Sequence, residues 1–147
     1  QNFVECTFEG CDFTNTNITH TIFNGATFVD CKMVGVQFET CNPLLLAFSF
    51  KGCNLSVASF YGMEIPKTTF SNCKMHQVDF SEANLKMSQF PDSDLENAIF
   101  DNTQLEQVDF TSAFNFSIDP TVNHLKKSKF SKEGLIGLLK KYDIVVT

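Results

Sequence analysis

Large apolar residues recur at every fifth position along most of this chain. Phe3, Phe8, Phe13, Ile18, Phe23, Phe28, Met33 and Phe38 form one unbroken train. A second runs Leu45, Phe50, Leu55, Phe60, Ile65, Phe70, Met75 and Phe80, and continues in the same step through Phe90 and Phe100 to Phe110. Neither regular element has this period, since helices repeat at about 3.6 residues and strands at about 2.0. A five-residue repeat held over most of the chain predicts a solenoid.

The residue two before each large one is mostly small: Cys6, Cys11, Thr16, Thr21, Ala26 and Cys31 early on, and Ala83, Ser88 and Ala98 later. On extended backbone, residues two apart share a face, so large and small side chains are expected to point inward together. The other three of each five are mainly Asn, Asp, Ser, Thr, Lys and Glu, which suit turns and solvent.

Ala83-Asn84-Leu85 and Ser93-Asp94-Leu95 show the motif most plainly: small, Asn or Asp, large apolar, then two variable residues. In this the sequence resembles the pentapeptide-repeat family over roughly residues 1–115. The resemblance implies a mainly β fold, a right-handed quadrilateral parallel β-helix with about 20 residues per coil and layers about 4.8 Å apart. About 23 pentapeptides would then make five to six coils and a rod about 26 Å long. Residues 20 apart would stack, giving one core ladder of Phe50, Phe70, Phe90 and Phe110 and another of Phe60, Phe80 and Phe100.

Two features break the rhythm. Phe38 and Leu45 are seven apart, so two residues are inserted near 40–45. The segment Cys41, Asn42, Pro43 and Leu44 reads either as a bulge at a solenoid corner or as a small loop that recognises a partner. After Phe110 the period fails, and residues 116–147 read as a C-terminal cap: a turn, a short strand, a helix over 132–141 and a last short strand at Ile144–Val146. Ser131 is a natural helix N-cap, with Glu133 in the first turn and Lys140 and Lys141 in the last. Leu135, Ile136, Leu138, Leu139 and Tyr142 would share one helical face. A solenoid must cover its last coil. Quinolone-resistance members of the family carry a similar C-terminal helix and strand through which two rods join. The resemblance therefore implies a homodimer formed through Leu135, Ile136, Leu138, Leu139, Tyr142, Ile144 and Val146.

Composition agrees with repeated geometry, because 17 Phe and no Trp is an odd diet for an ordinary core. No apolar run approaches a membrane span. The chain opens inside a repeat without an initiator Met, as a fragment or processed chain would. Net charge is −6, with −10 up to Pro120 and +4 after it. An acidic body argues against direct nucleic-acid binding, which needs a basic face.

All six cysteines, Cys6, Cys11, Cys31, Cys41, Cys53 and Cys73, fall at small inward positions, where free Cys acts as a small hydrophobe. Parallel side-chain vectors disfavour disulfides between stacked pairs, and free thiols fit a reducing cytoplasm. His20, His76 and His124 are scattered, the first two at outward positions. No spacing suggests a metal site, cofactor loop or catalytic group, and a filled axis leaves no pocket. A non-catalytic protein-interaction scaffold is therefore expected. Some family members mimic duplex DNA and bind type II topoisomerase, protecting it from quinolones. Duplex of the rod's length would carry roughly 15 charges, against −10 spread over four faces here, where Asp79, Glu82 and Asp101 make the one modest cluster. A plain structural spacer is the third possibility.

Overall fold

The structure is a computed structural model and describes residues 1–147. It is a parallel β-solenoid. Five strands, β1 (Asn2–Val4), β2 (Thr7–Glu9), β3 (Ile22–Val29), β4 (Asn42–Lys51) and β5 (Phe70–Ser71), form one sheet in which every pair is parallel. Elsewhere the layers are joined by isolated parallel bridges. The longest ladder runs Asp12, Lys32, Asn54, Lys74, Asp94 and Phe114. Ladders through Ser59, Glu64 and Thr69 supply the other three sides, five residues apart along the chain.

Each five-residue step ends in a corner that needs a left-handed backbone. Positive φ recurs at Asn72, Gln77, Glu82, Met87, Asp92, Asn97 and Asn102 without a gap. This corner turns the next side chain back toward the axis. It also explains the Asn and Asp before each large residue. The carboxyl or amide oxygen accepts the amide two residues on, as in Asp79 from Ser81 (2.8 Å), Asn84 from Lys86 (3.1 Å) and Asp109 from Thr111 (2.8 Å).

The axis is filled by one continuous apolar cluster from Ile18 to Ile118. Phe50 stacks on Phe70 at 5.2 Å, Phe70 on Phe90 at 5.0 Å and Phe90 on Phe110 at 5.3 Å, all within 5° of parallel. The second ladder, Phe60, Phe80 and Phe100, meets the first edge-on, as between Phe70 and Phe80. Face-to-face contact along the axis and edge-to-face contact across it are both favourable ring geometries. The buried Ser93 hydroxyl finds partners in the preceding layer, accepting the Cys73 amide (3.1 Å) and donating to the Phe70 carbonyl (2.7 Å).

The two-residue insertion is taken up inside β4. Ile22 pairs with Asn42, twenty on, but Phe28 pairs with Phe50, twenty-two on. Leu45, expected inward as the head of the second train, is instead 67% exposed and has φ +53. The inserted residues push it out, and Phe48 fills the interior from a position that pairs with Ala26, where the repeat normally puts a small residue.

The solenoid also continues past residue 115. Gln104 bridges His124, Asp109 bridges Lys129, and Phe130 stacks on Phe110 at 5.2 Å. Residues 124–130 thus form a further layer on sequence that lacks the motif.

The cap departs from expectation. There is no α-helix over 132–141; the backbone makes two 3-10 stretches, Glu133–Leu138 and Lys140–Tyr142. Their bonds span three residues, as Leu139 N–H to Ile136 carbonyl (3.0 Å) and Tyr142 N–H to Leu139 carbonyl (3.0 Å). Gly134 and Gly137 are poor helix formers, and Gly137 is pressed onto Phe116 so closely that a Cβ would lie 2.7 Å from the Phe116 carbonyl oxygen. That close approach, not helical periodicity, sets the path of the segment. Ile144–Val146 forms no strand and is exposed.

Candidate functional site

Three places on the rod depart from the repeat and could carry function. The first is the β4 bulge. Cys41, in the segment read either as a bulge or as a loop and at a small inward position, is buried, and burial pushes its thiol up to about 11. Asn42 stays in the sheet and accepts the Leu44 amide at 2.8 Å. Only Pro43, Leu44 and Leu45 project, with Leu44 59% exposed. Leu45 lies just beyond the segment 41–44 that the sequence marks out. Its place in the five-residue train disguised it, and only the register of the next layer identifies it as part of the bulge.

The second place is the cap. Ser131 Oγ accepts the Gly134 amide at 2.9 Å, although the α-helix it was expected to cap is absent. The Ile118 amide donates to the Gly137 carbonyl (2.9 Å), and Lys141 donates to Asp119 (3.0 Å), so the segment is tied down at two points. Hydrogen bonds from the Thr121 side chain and amide, then from Lys141, draw the Asp119 carboxyl down to about 2. The apolar face expected of a helix is split by the 3-10 path. Leu138 packs against the core and Ile136 is half-buried, while Leu135, Leu139, Tyr142, Ile144 and Val146 stay exposed.

The third is a side-chain cluster that sequence reasoning missed. His76 Nε2 lies 2.6 Å from Asp94 Oδ2 and 3.5 Å from Glu96 Oε2. Asn115 donates to the other Asp94 oxygen at 3.0 Å. Burial raises the Asp94 carboxyl, but the His76 and Asn115 hydrogen bonds and the Glu96 amide bring it net below its ordinary value. The available signal was the coil length: His76 and Glu96 are 20 apart and occupy the same repeat position.

Cys31, Cys41, Cys53 and Cys73 are buried, as expected of small core residues, whereas Cys6 and Cys11 are half-buried. Cys31, Cys53 and Cys73 are buried beside one another at one corner, and no cysteine is paired in a disulfide. The neighbouring Cys53 thiol, then burial, pushes the Cys73 thiol far up. Acidic side chains form no continuous stripe. Glu82 and Asp101 are neighbours through a backbone bond of 2.9 Å, and Glu82 accepts the Tyr61 hydroxyl. The ladder beginning at Asp12 alternates with Lys32 and Lys74 and ends at Phe114.

The chain matches the model described as pentapeptide repeats over residues 2–42 and that of the pentapeptide repeat region over residues 45–115. The chain belongs to the pentapeptide-repeat family. The two matches meet at the β4 bulge, where the register of this pentapeptide-repeat chain slips.

No curated protein matches the sequence. Among solved structures, HetL, a pentapeptide repeat protein involved in heterocyst differentiation regulation in the cyanobacterium Nostoc, is 12% identical with a TM-score of 0.54, over 88% of this chain and 86% of that one. A trypsin-treated form of QnrB1, a plasmid-mediated fluoroquinolone resistance protein, is 14% identical over the whole of both chains, with a TM-score of 0.42. A pentapeptide repeat protein of the Arabidopsis thaliana thylakoid lumen is 18% identical over 82% of this chain and 58% of that one, with a TM-score of 0.42. The likeness to HetL shows the fold alone.

No helix is long and apolar enough to cross a membrane.

Proposed function

We propose that this pentapeptide-repeat protein is a non-catalytic scaffold that binds a protein partner through the β4 bulge. The observation that carries this is the exposure of Pro43, Leu44 and Leu45 together at the bulge. The fold could have absorbed two extra residues with polar side chains. Instead it presents two leucines, which cost solubility unless something covers them. The filled middle of the axis supports a non-catalytic role, since Phe60, Phe70, Phe80 and Phe90 are wholly buried; an apolar cavity lies only toward the N-terminal end, among Phe3, Phe8, Phe13 and Phe23. Six unpaired thiols suit a reducing compartment such as the cytoplasm.

Two chains join through the cap in this reading. Leu135, Leu139, Tyr142, Ile144 and Val146 offer the apolar surface. Mimicry of duplex DNA for a topoisomerase is less well supported, because the bridge ladders mix acids with Lys, Asn and Phe. QnrB1 is the matched protein with a resistance role in its description, and at its TM-score it lends no weight to that reading.

The test is affinity capture with the intact chain beside a Leu44→Ser/Leu45→Ser variant. A partner held by the first and lost by the second, with unchanged thermal melting, supports the proposal. Equal recovery by both defeats it. Sedimentation velocity reads the dimer, and a monomer at micromolar concentration would remove that part. A gyrase supercoiling assay with quinolone should show no protection.

A further inference from the structure

We infer that His76, Asp94 and Glu96 form a binding site for a divalent transition-metal ion of the zinc type. One donor atom from each, His76 Nε2, Asp94 Oδ2 and Glu96 Oε2, lies within 4.8 Å of the other two. Metal–ligand bonds of about 2.0–2.2 Å hold neighbouring donors about 3.0–3.5 Å apart. The observed separations from Nε2 are 2.6 Å and 3.5 Å, so a small swing of the Asp94 carboxylate makes room for an ion.

An ordinary surface ion pair is the competing explanation, and it needs only one carboxylate. Here one imidazole is met by two, brought from the next layer by the stacking itself. Asp94 Oδ1 is committed to the Asn115 amide and to the Glu96 backbone N–H (3.2 Å), which leaves Oδ2 as the oxygen turned to His76. The rigid coil thus holds the donors in advance. Leu95, wholly buried between them, fixes the backbone from which Asp94 and Glu96 project.

The layer on the other side of His76 adds a further detail. Ser56 occupies the same column, joined to it through the bond from the Val57 amide to the His76 carbonyl (2.8 Å). Its hydroxyl is shielded from solvent and has no hydrogen-bond partner.

One nitrogen and two oxygens favour an ion such as Zn²⁺ over Mg²⁺ or Ca²⁺, which prefer oxygen alone. All three residues are at least part-exposed, so the remaining coordination positions face solvent and are free for water.

Isothermal titration of the intact protein with zinc chloride, in a non-chelating buffer, tests the site. One ion per chain is expected, with magnesium chloride giving no binding. His76→Gln and Glu96→Gln should each weaken zinc binding by about tenfold or more while melting as the parent chain does. Cobalt(II) should bind without a thiolate-to-metal charge-transfer band, since the cysteines take no part. Absence of binding would overturn the site, as would binding that survives both variants or a cobalt spectrum showing thiolate ligation.

Discussion

Phe38 and Phe60 lie face to face, ring centroids 4.6 Å apart and planes 4° from parallel, although 22 residues separate them instead of 20. Pro43, Leu44 and Leu45 are pushed to the surface between them, while Phe48 takes a place in the interior. A packed aromatic axis resists a change of register because every ring is both a lid and a floor. A corner resists far less, since water can solvate whatever is pushed out.

Phe60→Ala follows from that asymmetry. Phe60 is wholly buried, stacked between Phe38 and Phe80 and edge-on to Phe70. Truncation leaves a hole that rigid layers above and below cannot close, at a cost of about 3–5 kcal/mol. Urea unfolding should report that loss, while truncating the neighbouring exposed Val57 to Ala should change stability by less than about 0.5 kcal/mol.

The bulge and Phe48 are predicted to be coupled. Deleting Pro43 and Leu44 restores the five-residue step and would turn Leu45 inward. Phe48 already fills that region, with its ring 5.7 Å from Phe38 and 5.0 Å from Phe50. The deletion alone should overpack the layer and cost about 1–3 kcal/mol. Adding Phe48→Ala, which restores a small residue opposite Ala26, should recover most of it. Purely additive effects in urea melts would show that the two sites do not share space.

How much of this was legible in the sequence depends on whether the repeat was speaking. Phe50 through Phe110 could be placed inside from spacing alone, because a strict period leaves no freedom in which way a side chain points. Leu45 kept the spacing and still faces out, since an insertion shifts the pairing of layers without altering the period on either side. Phe130 lies inside a layer that no motif announces, carried there by backbone bridges to Asp109 and its neighbours. The cap misled in the opposite way. Its apolar spacing was helical, but contact with Phe116 selected a tighter path through Gly137. The His76 cluster was hidden because its members are distant in sequence and belong together only through the coil length.

Val57 should be a weak point of the corners. It is β-branched, 56% exposed and has φ +61, a conformation that L-residues with a branched Cβ avoid. Asn fills the equivalent corner at Asn97. Val57→Asn should stabilise the coil by about 0.5–1 kcal/mol, since left-handed backbone costs other residues about 1–2 kcal/mol. A melting temperature that falls, or does not move, would show that the Val57 side chain compensates by contacts of its own.

The cap should loosen in acid. Asp119 has its carboxyl drawn from 3.8 to about 2 by the two Thr121 hydrogen bonds and by Lys141. A folded-state value below the unfolded one means that the carboxylate stabilises the cap above the ordinary value, and that this support drains away as pH falls from about 4 toward 2. The site is solvent-exposed, so the effect on global unfolding is small and the local readout matters more. Hydrogen exchange at the Ile118 amide, which donates to the Gly137 carbonyl, is that readout. Its protection should fall across this window more steeply than that of the Phe80 amide, bonded deep in the rod to the Ile99 carbonyl. Asp119→Asn should lower Ile118 protection at neutral pH and flatten its pH dependence. Equal protection in the variant and the parent at both ends of the window would mean that the cap is held by Phe116 packing alone.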